Sequence, residues 1–111
     1  MNKYRAKKIE WDGIKFDSKK EMQRYKVLKE QEESGIISEL SLQVPFVLIP
    51  YQRVGDVTER AVKYVADFVY KKDGKTIVED VKGYRKGQAY RIFVLKRKLM
   101  LEKYGIHVSE V

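Results

Sequence analysis

Two aspartates, a lysine and a two-residue turn fall within residues 64–82, which read YVADFVYKKDGKTIVEDVK. Asp73-Gly74 separates two runs rich in Val, Ile, Phe, Tyr and Thr, and so predicts a tight β-hairpin. A turn centred there sets Lys72 against Lys75, Tyr70 against Ile77 and Asp67 against Asp80. Opposed residues of antiparallel strands project on one face with Cβ atoms ~5 Å apart. Lys82, two residues beyond Asp80, shares that face. Like charges in opposed positions destabilise a sheet, and a divalent cation held between the carboxylates would remove the penalty. A cation so held beside a lysine would suit metal-assisted hydrolysis of a phosphate ester. Lys82 would either neutralise the acid pair or stand beside the attacking water and the phosphoryl oxygens as a compact point charge.

Each of these residues also has a structural reading. Asp67 lies between Ala66 and Phe68, in a run where aspartate is depleted and a buried unpaired carboxylate is expensive; the alternative is a solvated sheet face. Thr76, Val78, Asp80 and Lys82 share one side of their strand, and an Asp80–Lys82 ion pair accounts for part of that pattern. Glu79 points away on an ideal strand, as a surface or second-layer residue. Glu21 completes a capping box with Ser18, yet recurs with Tyr25, Leu28 and Glu32 along a mixed helix face, where it could also serve the site. Gln43 lies inside a strand and needs hydrogen-bond partners if buried; an outward polar position is the alternative. His107 has no histidine or cysteine neighbour and reads as structural. Trp11 is expected to pack, while Tyr4, Tyr84 and Tyr90 are available for stacking on bases.

The elements that would position these residues follow from the pattern. Residues 1–8 form a basic arm carrying Lys3, Arg5, Lys7 and Lys8, and 9–16 alternate around Asp12-Gly13 as a small hairpin. Ser18 opens a helix over 18–34 that stops at Gly35. A strand over 40–49 contains Pro45, which favours an edge or a bulge. Residues 50–59 read as a flexible connection and 62–82 as the central hairpin. A loop at 83–87 precedes a long helix over 88–104, a stop at Gly105 and a short strand over 106–111. The result is a single α/β domain over 1–111, a mixed sheet flanked by helices. In the late helix, Ala89, Ile92, Leu95, Leu99 and Met100 are expected to pack on the sheet. Gln88, Arg91, Lys96, Arg97 and Lys98, with Arg85 and Lys86 of the preceding loop, are expected to contact phosphates.

Lys and Arg number 24 against 16 Asp and Glu, a formal net charge of +8 that favours a polyanionic partner, nucleic acid first. The absence of cysteine removes disulfides and thiol chemistry, and one histidine argues against a structural zinc site. No long uncharged apolar run marks a membrane span or signal peptide, so a cytoplasmic location is expected.

Taken together, the residues resemble the PD-(D/E)xK nuclease superfamily, especially small phage-encoded nucleases and the Holliday-junction resolvase-like branch. Asp67, in Ala-Asp rather than Pro-Asp, looks like the first acid, and Asp80-Val81-Lys82 matches the D/E-x-K element. Glu21, in SKKEMQRY, resembles the acid of the first helix. Gln88 and the basic helix resemble the variable region that completes the site, with Lys96 a weaker match. The whole sequence, particularly 18–105, is also similar to a phage protein family of initially unassigned function grouped with these nucleases. The resemblance implies a restriction-endonuclease-like α-β-β-β-α-β core and an Mg²⁺- or Mn²⁺-dependent DNA endonuclease acting on branched DNA such as recombination intermediates. Glu21, Asp67, Asp80 and Lys82 would form the catalytic set. Asp67, Asp80 and the Val81 backbone carbonyl would hold the metal, Glu21 being a further candidate, and Gln43 would join the basic residues in contacting DNA. Two cuts in a four-way junction imply a homodimer. The competing reading is a non-catalytic nucleic-acid-binding module on the same scaffold.

Overall fold

The computed structural model describes residues 8–111. The basic arm and Tyr4 lie outside them, apart from Lys8, which is 3.8 Å from the Asp17 carboxylate. In chain order the elements are β1 (Ile9–Trp11), β2 (Ile14–Phe16), α1 (Lys19–Glu33), β3 (Ser38–Ile49), β4 (Gln52–Val54), β5 (Val57–Glu59), β6 (Val62–Lys72), β7 (Lys75–Asp80), α2 (Gly87–Tyr104) and β8 (Ser109–Glu110).

The central hairpin is organised by its turn. Asp73 and Gly74 both adopt positive φ, +51° and +78°, the backbone that a two-residue hairpin loop requires. The ladder then runs from Lys72↔Lys75 through Tyr70↔Ile77 to Phe68↔Glu79. β3 pairs antiparallel with the other side of β6, and β8 lies parallel to β7, giving a mixed sheet in the order β3-β6-β7-β8. Its edge position lets β3 accommodate Pro45.

Two helices flank this sheet. Ser18 caps α1, its Oγ accepting the Glu21 N–H at 3.1 Å. Met22, Tyr25 and Leu28 of α1 pack against Phe16, Ile37, Phe68 and Tyr70. Phe93 and Met100 of α2 pack against Leu48, Tyr64, Ala66, Val78 and Val108. Complete burial of side chains such as Leu28, Phe68 and Met100 contributes about 1.5–3 kcal/mol each. The helix stops at Gly105, whose left-handed φ of +68° places its N–H on the Leu101 carbonyl. No described helix is long and apolar enough to cross a membrane.

Three expectations require correction. Residues 50–59 contain a β-ribbon, with Gln52↔Glu59 and Val54↔Val57 paired around Gly55 at φ +60°; two turn residues sufficed where polarity alone suggested an open connection. Ile92 and Leu95 are 45 % and 58 % exposed. Ala89 is exposed as well. Leu99 and Met100 pack as expected, and the rest of the core-facing stripe of α2 is Tyr90, Phe93 and Val94, because the larger aromatic rings turn the helix toward their own burial. Trp11 is 48 % exposed and carries the Lys26 ammonium 3.7 Å from its ring centroid rather than entering the core.

Candidate active site

The β6–β7 ladder ends at Phe68↔Glu79, and Asp67 and Asp80 each stand one residue beyond that pair. Asp67 Oδ2 accepts the Val81 N–H at 2.8 Å, and Oδ1 accepts Gln43 Nε2 at 3.1 Å. The same Gln43 nitrogen donates to Glu21 Oε1 at 3.1 Å. Helix α1 and strands β3 and β6 are therefore joined by one polar chain, Glu21–Gln43–Asp67. Beside it, Asp80 Oδ1 accepts the Tyr64 hydroxyl at 2.9 Å, and Oδ2 pairs with Lys82 Nζ at 2.7 Å. Lys82 Nζ also lies 3.9 Å from the Phe93 ring centroid, and its carbonyl accepts Lys20 Nζ at 2.7 Å.

The backbone at this point is unusual. Gln43 has φ +52° inside a strand, a left-handed conformation that costs about 1–3 kcal/mol for a residue with a side chain and survives only where its surroundings impose it. Its neighbours Leu42 and Val44 pair with Phe68 and Ala66, so Gln43 faces Asp67 across the ladder. On β6, Phe68 and Tyr70 belong to the α1 cluster, whereas Tyr64 and Ala66 belong to the α2 cluster. The buried side chains change partner helix across Asp67, which brings the Tyr64 hydroxyl to Asp80.

Negative charge is in excess here. Burial, then the nearby carboxylates of Asp67, Asp17 and Asp80, push the Glu21 carboxyl up to about 7; interaction with the Asp17 backbone opposes them. Burial also raises Asp67, with Asp80 adding to the effect, while the Val81 N–H, Gln43 and Lys82 counter it. Burial and the Asp80 carboxylate drive the Tyr64 hydroxyl well above the ordinary phenol range.

Among the described residues no group of three or more His, Cys, Asp or Glu is arranged to hold a metal ion. Gln43 stands between Glu21 and Asp67, which keeps those carboxylates from closing together on one point. Asp67 and Asp80 nevertheless fit a hard cation that takes one or two protein carboxylates and fills its remaining positions with water and substrate oxygens. Each carboxylate offers about four lone-pair sites, of which the contacts above use two on Asp67 and two on Asp80. What the structure brings to Asp67 from Val81 is its N–H.

The other singled-out residues divide. Lys96 walls a cleft of about 270 Å³ that reaches Asp80 and Lys82. Arg85 and Arg97 instead converge on Glu110, at 3.3 and 2.6 Å, where Tyr90 also donates its hydroxyl. Lys86 occupies the N-cap of α2 without a capping side-chain bond, and Gln88, Arg91 and Lys98 are exposed along that helix. Glu79 is not a surface residue: it is 3 % exposed, gripped by Arg24 through bonds of 2.7 and 2.6 Å, and bonded by the Tyr70 hydroxyl. Sequence reasoning missed Lys20, Lys63, Tyr64 and Arg24. Local sequence carried no signal for Arg24, which lies one helical turn from Glu21 yet bonds Glu79, nor for Tyr64, because strand alternation does not reveal the change of cluster across Asp67.

A family model described as "Protein of unknown function (DUF1064)" matches residues 1–109. Comparison with curated proteins gives no match, and comparison with solved structures gives none.

Proposed function

The chain belongs to the family described as Protein of unknown function (DUF1064), and we propose that it is a divalent-metal-dependent nuclease that hydrolyses phosphodiester bonds in DNA, with a restriction-endonuclease-like core. One observation carries this reading. Glu21, Gln43, Asp67, Asp80 and Lys82, from separate parts of the chain, meet beside a cleft, and Gln43 holds a strained backbone there.

Asp67 and Asp80 would bind Mg²⁺ or Mn²⁺, which supplies Lewis-acid polarisation of the scissile phosphate and activation of water. Lys82 presents its ammonium to charge developing on the phosphoryl oxygens, held in place by Asp80 and by the Phe93 ring. The Val81 N–H and the Gln43 amide fix both oxygens of Asp67. Glu21, with a carboxyl that holds a proton near neutrality, limits repulsion within the acid cluster.

The test incubates the protein with labelled linear, nicked, flap and four-way DNA, with and without Mg²⁺ or Mn²⁺. Metal-dependent cleavage is expected, and Asp67→Asn and Asp80→Asn should each abolish it while preserving the circular dichroism spectrum. No cleavage of any substrate at stoichiometric enzyme would overturn the reading. A non-catalytic nucleic-acid-binding module is the second reading, favoured by the prior engagement of both Asp80 oxygens by Tyr64 and Lys82. It expects salt-sensitive binding without turnover.

A further inference from the structure

The cleft beside Asp80 and Lys82 has two walls of like chemistry, each with a lysine and an aliphatic side chain. Lys63 and Val65 of β6 form one, and Ile92 and Lys96 of α2 form the other. Val65 and Ile92 are 47 % and 45 % exposed, so the cleft presents apolar surface to water beside two lysines. Neither Lys63 nor Lys96 takes part in an ion pair among the described residues, unlike Arg85 and Arg97, which Glu110 neutralises. Uncompensated ammonium groups on both walls of an apolar slot match a ligand whose anionic groups bracket a flat, weakly polar body. A nucleotide within a strand has that form, with a phosphate on either side of a sugar and base. The cleft, of about 270 Å³, is too small to enclose a duplex.

We infer that this cleft receives one unpaired nucleotide of a nucleic-acid strand, with Lys63 and Lys96 contacting its flanking phosphates and Val65 and Ile92 contacting the sugar and base, resting on the assignment of Asp80 and Lys82 to the scissile phosphate. Single-stranded segments at flaps, junctions or frayed ends are then the preferred substrate, and intact duplex is disfavoured. Lys63 is a positioning residue for this strand.

Fluorescence anisotropy in EDTA tests the inference, using a labelled single-stranded oligonucleotide and a blunt duplex of equal length. In Lys63→Ala/Lys96→Ala the single-strand Kd should rise about tenfold, and the slope of log K against log salt should shrink by about 1.4, from ~0.7 per phosphate contact. Duplex affinity should change much less. Lys72→Ala/Lys75→Ala removes the same charge at the far turn of the hairpin and should have little effect on either probe. Ile92→Ser removes the apolar contact without altering charge and should weaken single-strand binding alone. Equal losses on both probes, or a loss no greater than that of the turn variant, would overturn the inference. Because the chelator removes catalysis from the readout, selective binding by a protein that cleaves nothing supports the cleft and sinks the nuclease reading. Cleavage without selectivity does the reverse.

Discussion

Glu79 and Asp80 are consecutive acids on β7, 3 % and 5 % exposed, and they meet opposite fates. Glu79 faces α1, where Arg24 grips both of its oxygens and Tyr70 adds a hydroxyl. Asp80 faces α2 and shares one lysine and one hydroxyl beside an open cleft, with Asp67 and Glu21 near enough to feel its charge. A planar guanidinium matches a carboxylate bidentately and leaves little for a ligand to do. A cluster in which acids outnumber cations leaves work for a cation to complete. Burial alone therefore does not distinguish the two acids; what neutralises them does.

The largest effect should come from breaking the closed side. Arg24→Met retains much of the side-chain volume but strands the Glu79 charge in the interior, and should lower stability by about 3–5 kcal/mol in urea unfolding. Arg24→Met/Glu79→Leu should recover most of that loss, because the penalty lies in the unpaired charge. A double variant as unstable as the single one would mean that packing, not charge, sets the cost. The open side should behave in the opposite way. Asp80→Asn should abolish cleavage while leaving stability within about 1 kcal/mol, since relief of repulsion among the acids offsets the lost ion pair. Lys82→Ala should reduce cleavage by about 10²–10³-fold and also lower stability, because it leaves the Asp80 carboxylate without its cation. Large destabilisation by Asp80→Asn would make the two acids alike.

This contrast was half legible in the sequence. Asp73-Gly74 placed the hairpin register, and period-2 alternation put Glu79 and Asp80 on opposite sides of β7. Ser18 and Gly105 marked helix ends through local hydrogen-bond chemistry that needs no tertiary information. The partners were not legible. Arg24 meets Glu79 across 55 residues of sequence, and nothing local states that pairing. The Tyr64–Asp80 bond depends on the change of cluster at Asp67, which strand periodicity cannot express. On α2, counting apolar positions gave Ile92 and Leu95 to the core, whereas the rings of Tyr90 and Phe93 claimed the sheet and left the aliphatic pair exposed.

A third difference between the two sides is pH dependence. In metal-free protein Glu21 binds its proton more tightly when folded, at about 7, than at its ordinary value of 4.5. For a raised carboxyl the unfolded chain carries fewer protons between those values, so stability falls as pH rises from about 4.5 to 7 and levels off above. Discounted for solvent screening of this partly accessible carboxyl, the decline should be on the order of 2 kcal/mol. Glu21→Gln keeps an oxygen for the Gln43 amide while removing the titration, and should flatten the curve between pH 5 and pH 8 in chelator. An unchanged slope in that variant would assign the pH dependence to other groups.

The smallest effect separates the two supports of Asp80. Tyr64 donates to Oδ1 from a buried position, and Lys82 pairs with Oδ2 from the cleft wall. Tyr64→Phe removes one hydroxyl without changing ring packing against Phe93, which lies 6.2 Å away between centroids. The expected loss is about 1 kcal/mol, the usual net worth of one hydrogen bond. Its value lies in comparison with Lys82→Ala. If both groups orient one carboxylate, the double variant should depart from additivity by about 0.5 kcal/mol or more in unfolding and in log cleavage rate. Additive effects on both measurements would mean that Tyr64 serves the α2 core and leaves the orientation of Asp80 to Lys82 alone.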